Sequence, residues 1–380
     1  MIYLDNSATS YPKPQCVLDG INDAFKLYGA NPGRSSYKMA IDTSEQIYNC
    51  RKNIADYFHM DFAEKVIFTH NCTTALNFAI KGLAKKGSHF IISNLEHNAV
   101  VRPLESLKKS GICEYSIAEI DEDFYCTLKS FERKIKDNTV AIICTGASNV
   151  FGVIPPYKSL ASLAHKYNKL FILDYSQIAG VVPLDLKKTN IDIVCCSGHK
   201  GLLGPTGTGL LLINNDIVLN TILEGGTGSN SWDLSQPNYY PDRLESGTQN
   251  IVGIIGLSKA VEYLKKYQRY SIYNHEIKLM KYFYSNMKYF KNVIFYTDIM
   301  NDNKLYAPII SFNVKNMHSE EVAHKLSEFD IAVRAGLHCA PLAHKTYKTD
   351  KTGTVRISPS LFTKKSDIDL LINSLRKIAK

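Results

Sequence analysis

Short apolar runs alternate with amphipathic stretches between about residues 60 and 215. The apolar runs at 66–69, 90–93, 140–145, 170–174, 191–197 and 209–213 have the length and bounding residues of buried strands. The stretches at 74–84, 101–109, 128–136 and 160–167 read as helices. This alternation predicts an α/β fold, a mostly parallel sheet covered by helices on both faces. Sheets of that kind bind ligands at the carboxyl ends of their strands. Here those ends carry Thr69 to Thr74, Asn94 to His97, Ala147 to Asn149, Asp174 to Gln177 and Ser197 to Lys200, all polar and chemically capable. Residues 225–250, rich in Gly, Ser, Asn and Pro, read as a long functional loop. Helical patterns follow to about residues 270 and 286, then strands at 309–313 and 354–358 alternate with helices at 319–329 and 365–377. Two units are expected. A large one covers 15–250, and a smaller C-terminal α/β one covers 251–380 together with the N-terminal segment 1–14.

Composition narrows the class. A chain of 380 residues with 45% hydrophobic and 21% charged residues buries a large core, which excludes a disordered chain or a small disulfide scaffold. No apolar run approaches the roughly 20 residues that span a bilayer, and Met1 to Asn6 lacks the character of a signal peptide. A cytoplasmic protein that does not enter membranes is expected. The net charge of +9 is scattered in pairs such as Lys187-Lys188, which reads as solvated helix faces rather than a nucleic-acid stripe. Nine cysteines without a C-x-x-C argue against a disulfide framework and a zinc ribbon. Cys144, Cys195 and Cys196 sit in apolar runs and read as inert core thiols.

Five features carry chemistry. Lys200, in Ser197-Gly198-His199-Lys200, follows a buried strand; desolvation there would make its amine nucleophilic and able to form a Schiff base with a carbonyl cofactor. A surface lysine in a glycine turn is the alternative. Asp174 ends a strand and suits either a helix cap or the partner of a protonated pyridine nitrogen, with Gln177 in reach of the same ring's phenolic oxygen. Thr73 and Thr74 open a helix, where they would bind phosphate, cap the helix, or both. In Arg334-Ala335-Gly336-Leu337-His338-Cys339-Ala340-Pro341, basic neighbours would favour a reactive thiolate; a buried structural cysteine or a metal pair with His338 and His344 are the alternatives. Arg356 alternates with apolar residues and suits either a bidentate grip on a carboxylate or an outward-facing strand position.

Taken in order along the chain, these motifs resemble the cysteine desulfurases of the class V aminotransferases, which depend on pyridoxal 5'-phosphate and have the fold type I of that cofactor's transferases, built on a mostly parallel seven-stranded sheet. Tyr3-Leu4-Asp5-Asn6-Ser7-Ala8-Thr9 is similar to the family's opening segment. Ser197 to Lys200 with Gly204-Pro205-Thr206-Gly207 is similar to its lysine motif, and Arg334 to Ala340 to the cysteine loop of the group II branch. Leu337 and Asn98 stand where that branch commonly has histidines. The resemblance implies that Lys200 carries the cofactor, His97 stacks on its ring, Asp174 and Gln177 pair with ring nitrogen and phenolic oxygen, and Thr73, Thr74, Ser197 and His199 hold the phosphate. It implies that Thr248 reaches the phosphate of the other subunit in a homodimer. Asn149, Arg356 and Arg334 would hold the substrate, and Cys339 would accept sulfur. The implied activity converts L-cysteine to L-alanine and hands sulfur to an acceptor protein, as iron–sulfur cluster assembly requires; a selenocysteine lyase and a class V aminotransferase are the alternatives.

Overall fold

The computed structural model describes residues 1–32, 36–301 and 303–379. A short strand β1 (Ile2–Tyr3) leads into helices α1 (Gln15–Leu27) and α2 (Lys38–Tyr57). Alternating elements follow: β2 (Val66–Thr69), α3 (Cys72–Leu83), β3 (Ser88–Ser93), α4 (Asn98–Lys109), β4 (Cys113–Ala118), α5 (Phe124–Glu132), β5 (Thr139–Thr145), α6 (Tyr157–Lys166), β6 (Leu170–Asp174), β7 (Ile193–Ser197) and β8 (Gly209–Ile213). The remaining elements are α7 (Ile251–Leu264), α8 (Ser271–Met287), β9 (Val293–Phe295), β10 (Ile310–Val314), α9 (Ser319–Ser327), β11 (Ile331–Ala332), β12 (Arg334–Gly336), α10 (Pro341–Thr346), β13 (Thr354–Ile357) and α11 (Lys365–Ile378).

Seven strands form one sheet in the order β2-β8-β7-β6-β5-β3-β4. All are parallel except β8, which runs against both β2 and β7. Successive side chains along a strand point to opposite faces, so a sheet covered on both sides needs apolar residues at every position. The two faces divide accordingly. Ile91, Ile142, Leu173 and Val194 join one apolar core, and their neighbours Ile92, Ile143, Ile172 and Ile193 join the other. Register sets the strand ends level: Thr145 lies opposite Asp174, and Asp174 opposite Cys195. One sheet edge therefore collects the polar residues that follow β5, β6 and β7.

A second sheet, β12-β13-β10-β9, is antiparallel and has its own apolar core, built from Phe283, Phe312, Val355 and Leu371 among others. β1 pairs in parallel with β11, and Asp5 bridges to Ser358, so the chain's first residues lie along this second sheet. Several elements depart from expectation. β4 and the helices α1 and α2 were not anticipated, α5 begins at Phe124 rather than 128, and β7 begins at Ile193 rather than 191. No helix among the described residues is long and apolar enough to cross a membrane.

Candidate active site

Lys200 lies on the turn that follows β7. Leu203 donates to the Lys200 carbonyl at 2.8 Å and Gly204 to the Gly198 carbonyl at 2.8 Å, which closes the turn and directs the lysine back over the sheet edge. Its side chain helps wall a cavity of about 130 Å³, together with Thr73, His97, Asn149, Asp174, Gln177, Ser197 and His199. Burial lowers the pKa of Lys200, with Asp174 opposing the shift, so the amine gives up its proton more readily than a surface lysine. Lys200 is thus a partly buried residue on a cavity wall rather than a free surface lysine.

The N-terminus of α3 points into the same cavity. Its cap is Asn71, whose Oδ1 accepts the Thr74 amide at 2.9 Å, so neither threonine is the cap. Gly209, the first residue of β8, permits this approach: a Cβ there would lie 2.4 Å from the Asn71 carbonyl carbon. Thr73 lines the cavity. Thr74 instead lines a neighbouring cavity of about 310 Å³ that also contains His70 and Thr248. Thr248 and Thr74 are thus outside the pocket of Lys200 in the single chain.

Asp174 is buried at the end of β6. Its Oδ1 accepts the Ser176 amide at 3.0 Å and the Cys72 thiol at 3.6 Å. The carboxylate therefore caps a turn, not a helix, through one oxygen, and no hydrogen bond reaches the other. His97 caps α4, accepting the Ala99 amide on Nδ1 at 3.0 Å. That bond fixes the ring and puts its hydrogen on Nε2. Burial pushes the His97 pKa down to about 4, so the ring is neutral at ordinary pH. His199 is likewise held neutral, its pKa lowered to about 4 by burial and then by Lys200 and Lys13, and its Nδ1 is buried without a partner.

Arg356 is 2% exposed, which overturns the outward-facing alternative. Its Nη2 pairs with Asp5 at 2.6 Å and its Nη1 donates to the Asn149 carbonyl at 2.9 Å, while Nε is buried without a partner. Arg334 stands directly opposite Arg356 across β12 and β13, so both side chains share one face of the sheet.

Cys339 is exposed, not buried. It and His338 both adopt left-handed backbone angles (φ 56° and 48°), a conformation that side chains disfavour and that a turn must hold in place. The restraints are visible. Asn98 N–H donates to the Cys339 carbonyl at 2.8 Å, Asn149 Nδ2 to the His338 carbonyl at 2.7 Å, and the His338 ring bonds the Thr354 carbonyl at 3.0 Å. The cysteine loop is thus tied to two residues beside the lysine cavity. The His338 and His344 rings stack 5.9 Å apart, and both are engaged with Thr354 and Thr349. The sequence reading missed Asp5 as the partner of Arg356, as well as Lys13 and Cys72, which no motif singles out.

The residues present fit a phosphorylated pyridine aldehyde. Thr73, Ser197 and the α3 N-terminus supply donors for a phosphate, Asp174 keeps one carboxylate oxygen free of hydrogen bonds, and Lys200 supplies the amine. His199 Nδ1, Asn149 Oδ1 and Arg356 Nε are buried polar atoms without protein partners. Polar atoms in that state call for a ligand or water.

A mostly parallel seven-stranded sheet with a desolvated lysine at its carboxyl edge defines a fold type I transferase. The chain belongs to the aminotransferase class-V family, whose model matches residues 2–371. It is 32% identical over 393 aligned positions to a probable cysteine desulfurase of Borreliella burgdorferi, covering 100% of this chain and 92% of that protein. It is 30% identical over 388 positions to one of Methanothermobacter thermautotrophicus, covering 100% and 94%. The solved structure of apo cysteine desulfurase from Thermococcus onnurineus NA1 superposes with a TM-score of 0.91 at 29% identity, over 100% of this chain and 94% of that one.

Proposed function

We propose that the protein is a pyridoxal phosphate-dependent cysteine desulfurase that converts L-cysteine to L-alanine and captures the sulfur on Cys339. The observation that carries this reading is the pairing of a desolvated Lys200 with an exposed Cys339 whose carbonyl is bonded to Asn98, the neighbour of His97. A transaminase needs the lysine and has no use for the cysteine.

In this reading Thr73, Ser197 and His199 hold the phosphate with the α3 N-terminus, His97 lies against the ring, Asp174 pairs with its nitrogen and Gln177 with its phenolic oxygen. When bound, the cofactor supplies an electron sink for the substrate's α-carbon. Arg356, Asn149 and Arg334 hold the substrate carboxylate. Lys200, with its lowered pKa, takes the α-proton and returns a proton to the product. The Cys339 thiolate attacks the substrate sulfur. The sulfur–carbon bond breaks with its electron pair going to carbon, which is protonated to give alanine, and Cys339 is left as a persulfide. An acceptor thiol then takes the outer sulfur. In a homodimer Thr248 would reach the partner's cofactor phosphate. We take 15–250 as the cofactor-binding unit, 1–14 with 251–380 as the substrate-side unit, and the cytoplasm as the compartment.

Purified protein given L-cysteine should release alanine and, with a thiol reductant, equal sulfide. Cys339→Ala should keep the cofactor's visible band and lose both products. Lys200→Ala should lose the band. Alanine formation at the wild-type rate by Cys339→Ala would sink the reading.

A further inference from the structure

Cys72 lies on the wall of the lysine cavity and has no part in the mechanism. It opens α3 and is 5% exposed. Its Sγ lies 3.6 Å from Asp174 Oδ1, the oxygen that also receives the Ser176 amide at 3.0 Å. Both hydrogen bonds fall on one oxygen of the carboxylate. With Oδ1 held from two sides, the carboxylate plane cannot rotate freely, and Oδ2 keeps a fixed direction.

We propose that Cys72 is a positioning residue: its S–H, with the Ser176 N–H, fixes Oδ1 of Asp174 so that Oδ2 is presented to the cofactor's ring nitrogen. The inference rests on the reading of the site as a pyridoxal phosphate site. Burial, and then the neighbouring Asp174, raise the Cys72 thiol well above its usual range, so it stays a hydrogen-bond donor and does not become a second sulfur acceptor beside Cys339. The same burial keeps Cys195, opposite Asp174 across β6 and β7, as a thiol. Ser176 contributes twice, through its amide to Oδ1 and through its hydroxyl, which faces the Cys72 sulfur and receives the Ser197 hydroxyl at 3.3 Å.

The test compares Cys72→Ser, which keeps a donor, with Cys72→Val, which fills the site without one. Two quantities are read on each purified protein: the dissociation constant of pyridoxal phosphate, titrated into the cofactor-free form, and the pH dependence of the bound cofactor's visible band. Cys72→Ser should match wild type. Cys72→Val should bind the cofactor about two- to tenfold more weakly, the worth of one ordinary hydrogen bond since a thiol is a weak donor, and should shift the pH profile of the band. In an Asp174→Asn background, Cys72→Val should add nothing. Should Cys72→Val fail to fold, Cys72→Ala is compared in the same way. Wild-type affinity and pH profile in the donor-less variant, equal loss in Cys72→Ser, or full additivity with Asp174→Asn would each overturn the proposal. Wild-type protein that binds no pyridoxal phosphate would overturn the parent reading and this one with it, an outcome distinct from the other three.

Discussion

Arg356→Lys separates carboxylate recognition from chemistry. The guanidinium already spends Nη2 on Asp5 at 2.6 Å and Nη1 on the Asn149 carbonyl at 2.9 Å, and keeps Nε open. A lysine keeps the positive charge beside Asp5, yet its donors radiate from one point and cannot reach these two partners and a substrate carboxylate in one plane. The charge beside Asp5 is retained, so the change in folding stability should be limited to the bond to the Asn149 carbonyl, about 1–3 kcal/mol. The substrate loses one charge-assisted hydrogen bond, about 1.5–3 kcal/mol. That converts to a fall in kcat/KM of about 10- to 150-fold. The carboxylate keeps its charge throughout the reaction, so the interaction is equal in ground and transition states and the loss should fall on KM. Initial rates of alanine release across a range of L-cysteine concentrations give the split, and the absorbance of the bound cofactor on titration with L-alanine gives product affinity without turnover. A fall in kcat at unchanged KM, or unchanged kcat/KM, would refute the assignment of Arg356 as the carboxylate anchor.

Other outcomes follow from the same contacts. Glu245→Gln breaks the buried pair in which Arg51 meets both Glu245 oxygens at 2.8 Å, and should cost about 3–5 kcal/mol in urea unfolding. Burial raises the Glu96 pKa from 4.5 to about 8, so its contribution to stability is complete below pH 4.5 and is lost as pH rises through 8; Glu96→Gln should flatten that decline in a series of thermal melts. Desolvation lowers the Lys13 pKa from 10.5 to about 8, so stability should rise between pH 8 and 10.5, and Lys13→Met should abolish that rise.

The strands that build the sheet's centre were legible because both of their faces are buried. β3, β7 and β8 are buried at every position, and their apolar stretches, Phe90 to Ile92, Ile193 to Cys196 and Leu210 to Ile213, run without a polar break. β4 was not legible because it is an edge strand buried only at its ends, Cys113 and Ala118, and Glu114 and Ser116 interrupt its apolar pattern. The short strand β12 reads as a loop, since Arg334, Ala335 and Gly336 carry no strand signal and pair only through the register of β13. Lys200, Asp174 and Cys339 were legible as motifs. The alternatives for Arg356 and Cys339 needed burial to decide between them. The Asp5–Arg356 pair spans 351 residues of sequence, a separation no local pattern can encode.

The N-terminal segment joins the two halves of the site, which gives its motif a physical reason. On one side, Leu4 and Asn6 bond backbone groups of Ser358 and Asp5 holds Arg356, so the segment is joined to the sheet that carries Arg356. On the other, Thr9, Ser10 and Lys13 converge on the carbonyl of His199 at 2.8–3.1 Å, the residue before Lys200. The Lys13 ammonium also bonds the Ser10 hydroxyl at 2.7 Å and has no acidic partner among the described residues. Its burial lowers its pKa to about 8, and its hydrogen bonds go to the Ser10 hydroxyl and the His199 carbonyl. One stretch of ten residues, 4 to 13, thus ties the turn that carries Lys200 to the sheet that carries Arg356, in addition to the packing of the two sheets.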